Sequence, residues 1–267
     1  MVALMASPQA RFTHRFGAMG TGFSIDIRTP APRAVLRGAA EAAETLLHWA
    51  DRTFSTYDPG SEVCRFDRGD LRAQECCGEL RMVVALCHSL NESTSGYFDA
   101  WATGHFDPSG VVKGWAIEHA SEILLSHGLA DHIVEGGGDI RLQGSPATGP
   151  GAGSKWTVGT RHPLRPGAYA AALSLGPCGV ATSGTYERGQ HVVNPLTGKP
   201  AGEVASVTVV GPDLTMADAY ATAAFAMGAA GPSWLAQLDG FESLVIGLDG
   251  RGWSSAGWGR LALGGSQ

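Results

Sequence analysis

A strand-like run at residues 204–210 gives way, across Gly211-Pro212-Asp213, to an alanine-rich stretch running from Thr215 to Gly228. Alanine has the highest helix propensity, no proline interrupts the stretch, and Gly228 suits the position just past a helix end. The spacing therefore predicts a helix over residues 215–227. Asp218 and Thr222 stand four apart and so share one face of its first turns. A carboxylate and a hydroxyl placed this way offer two hard oxygens to a small cation such as Mg²⁺, which keeps positions open for phosphate oxygens and water. The same residues also read as a plain capping box, Thr215 with Asp218 three later.

The remaining elements follow from periodicity. Residues 16–22 form a glycine-punctuated turn feeding an alternating strand at 23–27. Helices are expected at 34–52, 79–92 and 111–127, with Gly128 ending the third, and a short one at 233–238. Residues 54–63 read as a turn-rich loop. Strand, glycine turn and strand are expected across Ile133 to Ile140, further strands at 156–160 and 169–175, and a hairpin at 243–253 around Asp249-Gly250. Helices and strands alternate without a regular βαβ rhythm, which argues for an α+β fold with a mainly antiparallel sheet. Neither GxGxxG nor GxxxxGK[ST] occurs.

The chain's 267 residues suffice for one sizeable core or two small domains, with 44% hydrophobic residues and 38 glycines. Against 25 acidic residues stand 19 basic ones, a net charge of −6 that argues against a nucleic-acid-binding surface. Five cysteines, an odd number without a CxxC, indicate neither a disulfide framework nor a zinc cluster. Residues 1–15, read as a tail, lack the apolar core of a signal peptide, and no run reaches membrane-spanning length. The expectation is one domain over residues 16–260, cytoplasmic and without membrane insertion.

Several short constellations carry candidate chemistry. Asp107 precedes the helix that holds Lys113, where backbone N–H groups, the helix dipole and an ammonium suit a pyrophosphate. The alternative is an ordinary cap with a solvated lysine. Gly114 weighs for a close approach by a ligand or strand, since glycine early in a helix costs about 1 kcal/mol relative to alanine. Gly136-Gly137-Gly138-Asp139 is either a ligand cradle or a tight turn. Residues 180–186 read as a small-residue loop on which a ring or phosphate could rest, or a Ser/Thr turn. His191 lies on a strand beside a Pro-Gly turn and is either structural or an acid/base. Met19 and Tyr57 pack either on a flat ring, a flavin or a nucleobase, or by default in the core.

Taken in order, these pieces resemble the FAD:protein FMN transferases, the ApbE-like family. The matching segments are Met19-Gly20-Thr21; Ser55-Thr56-Tyr57 with Ser61-Glu62-Val63; Gly96 with Phe98-Asp99; Lys113-Gly114; Gly136 to Ile140; Thr182-Ser183-Gly184 with Tyr186; His191 with Pro195 and Thr197-Gly198; and Ala217-Asp218-Ala219 with Thr222. The resemblance implies a T-shaped α+β fold that binds FAD with Mg²⁺ and moves FMN onto a threonine hydroxyl of an acceptor flavoprotein, releasing AMP. It further implies that Asp218 and Thr222 are metal ligands completed by the Gly110 carbonyl. Met19, Tyr57, Tyr97, Phe98, Asp99, Asp107, Lys113 and Val193 then stand at FAD-contacting positions, and Asp218 or His191 would accept the threonine proton. An FAD pyrophosphatase and a non-catalytic FAD-binding protein are the rival readings. The sequence departs from the pattern at Asn194, at Pro108-Ser109, and in a short segment between Asp99 and Lys113 that implies a trimmed adenine pocket.

Overall fold

A computed structural model describes residues 2–4, 11–146, 153–184 and 192–263. Its first large element is a hairpin, β2 (Phe12–Ala18) and β3 (Thr21–Ile27), preceded by the short β1 (Val2–Leu4). Part of the stretch read as a tail therefore lies in strands. Four helices follow: α1 (Arg33–Phe54), α2 (Glu62–Asp67), α3 (Gly78–Ser93) and α4 (Ser109–Ser126). Then come β4 (His132–Gly136), β5 (Asp139–Gln143), β6 (Trp156–Arg161), β7 (Tyr169–Leu175) and β8 (Cys178–Gly184). A small hairpin of β9 (Val193–Asn194) and β10 (Lys199–Pro200) leads to β11 (Val204–Gly211) and α5 (Leu214–Met227). The short helix α6 (Gly231–Leu235) and the hairpin β12 (Glu242–Gly247) and β13 (Gly252–Ser254) come last.

The main sheet has eight strands in the order β13-β12-β11-β8-β5-β4-β3-β2, and β1-β6-β7 form a second sheet. Every pairing between the described strands is antiparallel, as the irregular alternation of elements predicts. Two apolar clusters lie on opposite faces of the main sheet. Val134, Ala181, Val207 and Val209 face α1, α4 and α5. Ile133, Ile140, Leu142, Val180 and Val210 join Trp156, Val158, Leu173 and Leu175 of the smaller sheet. Alternation along a strand sorts the residues between faces. On β5 it sends Ile140 and Leu142 one way and the charged Asp139 and Arg141 toward α4, where each meets an opposite charge.

Two readings of the sequence need correction. Residues 180–184 are not a loop but most of β8, an interior strand between β5 and β11. Its Ala and Gly have weak strand propensity, but burial on both sides decides the outcome. The glycine has a packing reason: a Cβ on Gly179 would lie 2.6 Å from the Leu214 Cα, so the strand passes directly beneath the start of α5. Residues 61–63, the end of the stretch read as a loop, instead open α2, with Ser61 capping it by accepting the Cys64 N–H at 3.0 Å. All five cysteines are free, and burial pushes the Cys87 and Cys178 thiols up to about 12.

Candidate active site

The site is built around the start of α5, and three separate groups fix that start. Asp213 is the cap, its Oδ1 accepting the Met216 N–H at 2.8 Å, so the Thr215–Asp218 capping box does not form. Glu118 of α4 accepts the Leu214 N–H at 2.9 Å. Arg141 of β5 pairs with Glu118 at 2.9 Å and donates to the Pro212 carbonyl at 2.7 Å. The first orphan donors of the helix are thus satisfied within the protein. Glycine 114 explains the close packing. A Cβ there would sit 2.7 Å from the Leu214 carbonyl oxygen and 2.9 Å from the Asp218 Cβ. The close approach that Gly114 permits is therefore by a helix rather than by a strand.

With its capping role gone, Asp218 faces α4. Its Oδ2 accepts the Gly114 N–H at 3.0 Å, and its Oδ1 lies 3.5 Å from Lys113 Nζ. In a regular helix the Gly114 N–H would serve the Gly110 carbonyl; here Asp218 engages it. Lys113 is not a solvated lysine. Its side chain is 16% exposed and its ammonium donates to Asp139, a fully buried carboxylate whose Oδ1 accepts the Thr182 N–H at 3.1 Å. One turn on from Asp218, the Thr222 hydroxyl lies 3.3 Å from that of Ser183 on β8.

These groups open onto a cavity of about 140 Å³. Its walls include Tyr97, Phe98, Asp99, Asp107, Gly110, Lys113, Val193, Asp218 and Thr222, which are nine of the positions singled out from the sequence. Ser109, Gly137, Thr182, Ser183 and Pro195 line it too. A Cβ on Gly110 would come within 3.1 Å of the Phe98 ring and 3.2 Å of the Thr222 methyl, so any larger residue there would press on both side chains. Gly137 closes the β4–β5 turn at φ 56°, so the triple-glycine segment is both a tight turn and part of the cavity wall.

A second cavity, of about 160 Å³, adjoins the first. Ser109 and Lys113 line both. Met19, Gly20, Phe54, Thr56 and Tyr57 complete most of its walls. Tyr57 is 95% exposed, so core packing does not account for it. Met19 sits in the β2–β3 turn at φ 49°, a left-handed conformation that costs a residue with a Cβ roughly 1–2 kcal/mol.

The start of α4 differs from expectation. Asp107 accepts the Ser109 N–H at 2.9 Å, and the Val111 and Val112 N–H groups donate to the Pro108 carbonyl. Much of the anion-binding potential of that helix end is therefore used by the chain itself. His191 lies outside the described residues.

The cavity is acidic: three carboxylates (Asp99, Asp107, Asp218) and one ammonium (Lys113) give its walls a net charge of −2. Among the described residues, no group of three or more His, Cys, Asp or Glu side chains could hold a metal ion. A cation here would rest on one carboxylate, hydroxyl and carbonyl oxygens, and oxygens of its ligand, a donor set that suits Mg²⁺. The sequence reading missed Asp139 as the partner of Lys113. Its signal was the glycine turn that delivers it, but pairing across 26 residues becomes visible only once β5 lies under α4.

A sequence model of the ApbE family matches residues 19–107 and 102–245. Among curated relatives, the FAD:protein FMN transferase of Treponema pallidum is 33% identical over 173 residues, covering 59% of this chain and 48% of its own length. That of Salmonella typhimurium is 28% identical over 161 residues, covering 57% and 45%. The chain thus spans about half the length of the curated relatives it matches. Among solved structures, the ApbE protein of Thermotoga maritima superposes with a TM-score of 0.81 at 25% identity, over 93% of this chain and 98% of that one. The flavin transferase ApbE of Vibrio cholerae gives 0.80 at 21% identity, over 95% and 100%, a likeness of fold. In its helix-backed antiparallel sheet, its ordered motifs and the extent of the match, this chain belongs to the ApbE family.

Proposed function

We propose that the protein is a Mg²⁺-dependent FAD:protein FMN transferase that moves FMN from FAD to a threonine hydroxyl of an acceptor protein and releases AMP. The observation that carries this reading is the pair of adjoining cavities that share Ser109 and Lys113, one acidic and one lined by Met19, Phe54 and Tyr57. A dinucleotide has that layout, with two flat ends and a charged link between them.

The acidic walls make the cation part of the argument. Unit charges about 4 Å apart near a protein surface interact by about 4 kcal/mol, so a bare diphosphate would be repelled by these carboxylates. Asp218, Thr222 and the Gly110 carbonyl would hold the ion; when bound, it would neutralise diphosphate charge and that developing on the leaving phosphate. The chain's own groups then orient the substrate. Lys113, at the junction of the cavities, faces the phosphates. Tyr57 and Met19 offer surface to a ring. In the transfer, the threonine Oγ bonds to the FMN phosphorus as the bond to the AMP phosphate oxygen breaks. The hydroxyl proton passes to a base, for which Asp218 and His191 are the candidates. The working unit is a single domain over residues 16–260, acting on an acceptor in its own compartment, cytoplasmic or co-exported.

Incubating the protein with FAD, Mg²⁺ and a candidate acceptor tests this. The acceptor should gain the mass of one FMN moiety, with AMP released in equal amount. Free FMN formed without acceptor would instead mark a pyrophosphatase. FAD bound with no AMP under any condition would mark a carrier. Either result overturns the transferase reading.

A further inference from the structure

Lys113 faces two carboxylates, and they differ in kind. Asp139 is fully buried behind the cavity, fixed by the Thr182 N–H through one oxygen and by the Lys113 ammonium through the other. Asp218 lines the cavity, and its Oδ1 is 3.5 Å from the same ammonium. A lysine side chain is long, with rotatable bonds and a compact charge. Without Asp139, the nearest carboxylate for that charge would be Asp218. We infer that Asp139 is a positioning residue that takes the closer contact with the Lys113 ammonium and holds it to a 3.5 Å pairing with Asp218, so that the lysine competes less with a divalent cation for that carboxylate.

The inference rests on the metal reading of Asp218 but adds a residue and a direction. A lysine settled on Asp218 is an internal cation competing with an external one. Asp139 relieves that competition while keeping Lys113 at the junction of the two cavities. Substituting Asp139 alone should therefore weaken cation binding, and removing Lys113 as well should restore it. A purely architectural role for Asp139 predicts no such rescue.

The test measures Mn²⁺ alone, binding to the full chain by electron paramagnetic resonance, without FAD, alongside circular dichroism for folding. Wild type should bind one ion that competes with Mg²⁺. Asp139→Asn should bind at least tenfold more weakly, and Asp139→Asn with Lys113→Met should return to within about threefold of wild type. Asp139→Glu keeps the charge but moves it, so it should also weaken binding; wild-type affinity there would assign the effect to charge alone and overturn the positioning role. Should Asp139→Asn fail to fold, the double substitution, which leaves neither member of the buried pair alone, decides: it must bind Mn²⁺ to within about threefold of wild type. A folded Asp139→Asn with unchanged affinity, or a double substitution that stays weak, contradicts the inference. A wild type that binds no Mn²⁺ defeats the metal reading itself, a different failure.

Discussion

Helix α4 is joined to the sheet by polar contacts at both ends, and the two ends serve different purposes. Near its start, Lys113 meets Asp139 and looks onto a cavity. Five residues on, Glu118 meets Arg141, and both complete their bonding on the backbone that begins α5. Further still, the Ser121 hydroxyl lies 2.7 Å from the buried His132 ring. A charged pair between the same helix and the same strand thus borders a cavity in one place and is scaffolding in the other. What separates them is the third partner: a cavity for Lys113, main-chain groups for Glu118.

That contrast can be broken at either end. The largest effect belongs to the cavity. Asp218→Ala should lower AMP release from FAD by about a thousandfold or more, the scale of losing a principal electrostatic stabiliser, while the Gly114 N–H it leaves unpaired should cost only about 1–3 kcal/mol of stability. At the scaffold end the sign reverses. Arg141→Met leaves Glu118 buried beside its like-charged neighbours and should cost about 3–5 kcal/mol in urea unfolding, with a far smaller loss of turnover. Replacing Glu118 and Arg141 together with methionine should recover most of that stability.

The far end gives a pH signature. Burial holds the His132 imidazole down at about 4, against an ordinary 6.5. Below 6.5 the unfolded chain takes up a proton that the native state refuses. Stability is therefore full above the ordinary value and is lost as pH falls toward the native one, by about 3 kcal/mol. His132→Asn should flatten that part of the stability–pH curve. Burial raises Glu118, so its share runs the other way, present below the ordinary carboxylate range and lost as pH climbs through the raised value. Smallest of the four, Gly114→Ala should cost about 2 kcal/mol, the crowding against Leu214 and Asp218 outweighing the gain in helix propensity. It should also reduce turnover by moving Asp218, which separates it from a surface glycine replacement.

Much of this was legible beforehand. Asp218 and Thr222, found by a four-residue spacing, do line one cavity, and the strand–turn–helix around them forms within a residue of its expected limits. The order of short motifs identified the family, because order survives when each local geometry is ambiguous. What stayed hidden depends on contacts across the fold. Thr215 and Asp213 are both reasonable caps, and only the placement of Asp218 against Gly114 decides between them. Residues 180–184 have no alternation to mark them as a strand, since they are buried between two others. Asp139 and Arg141 look like solvated charges on a strand until α4 supplies their partners.

The central claim is that a divalent cation sits between Asp218, Thr222 and the Gly110 carbonyl and meets the diphosphate of FAD. Crystals grown with FAD and Mn²⁺, measured at a wavelength where manganese scatters anomalously, test it directly. The account predicts a single strong anomalous peak in direct contact with those three groups and with phosphate oxygens, the two ring systems occupying the two cavities. FAD bound with the manganese peak elsewhere, or with no manganese at all, would contradict it.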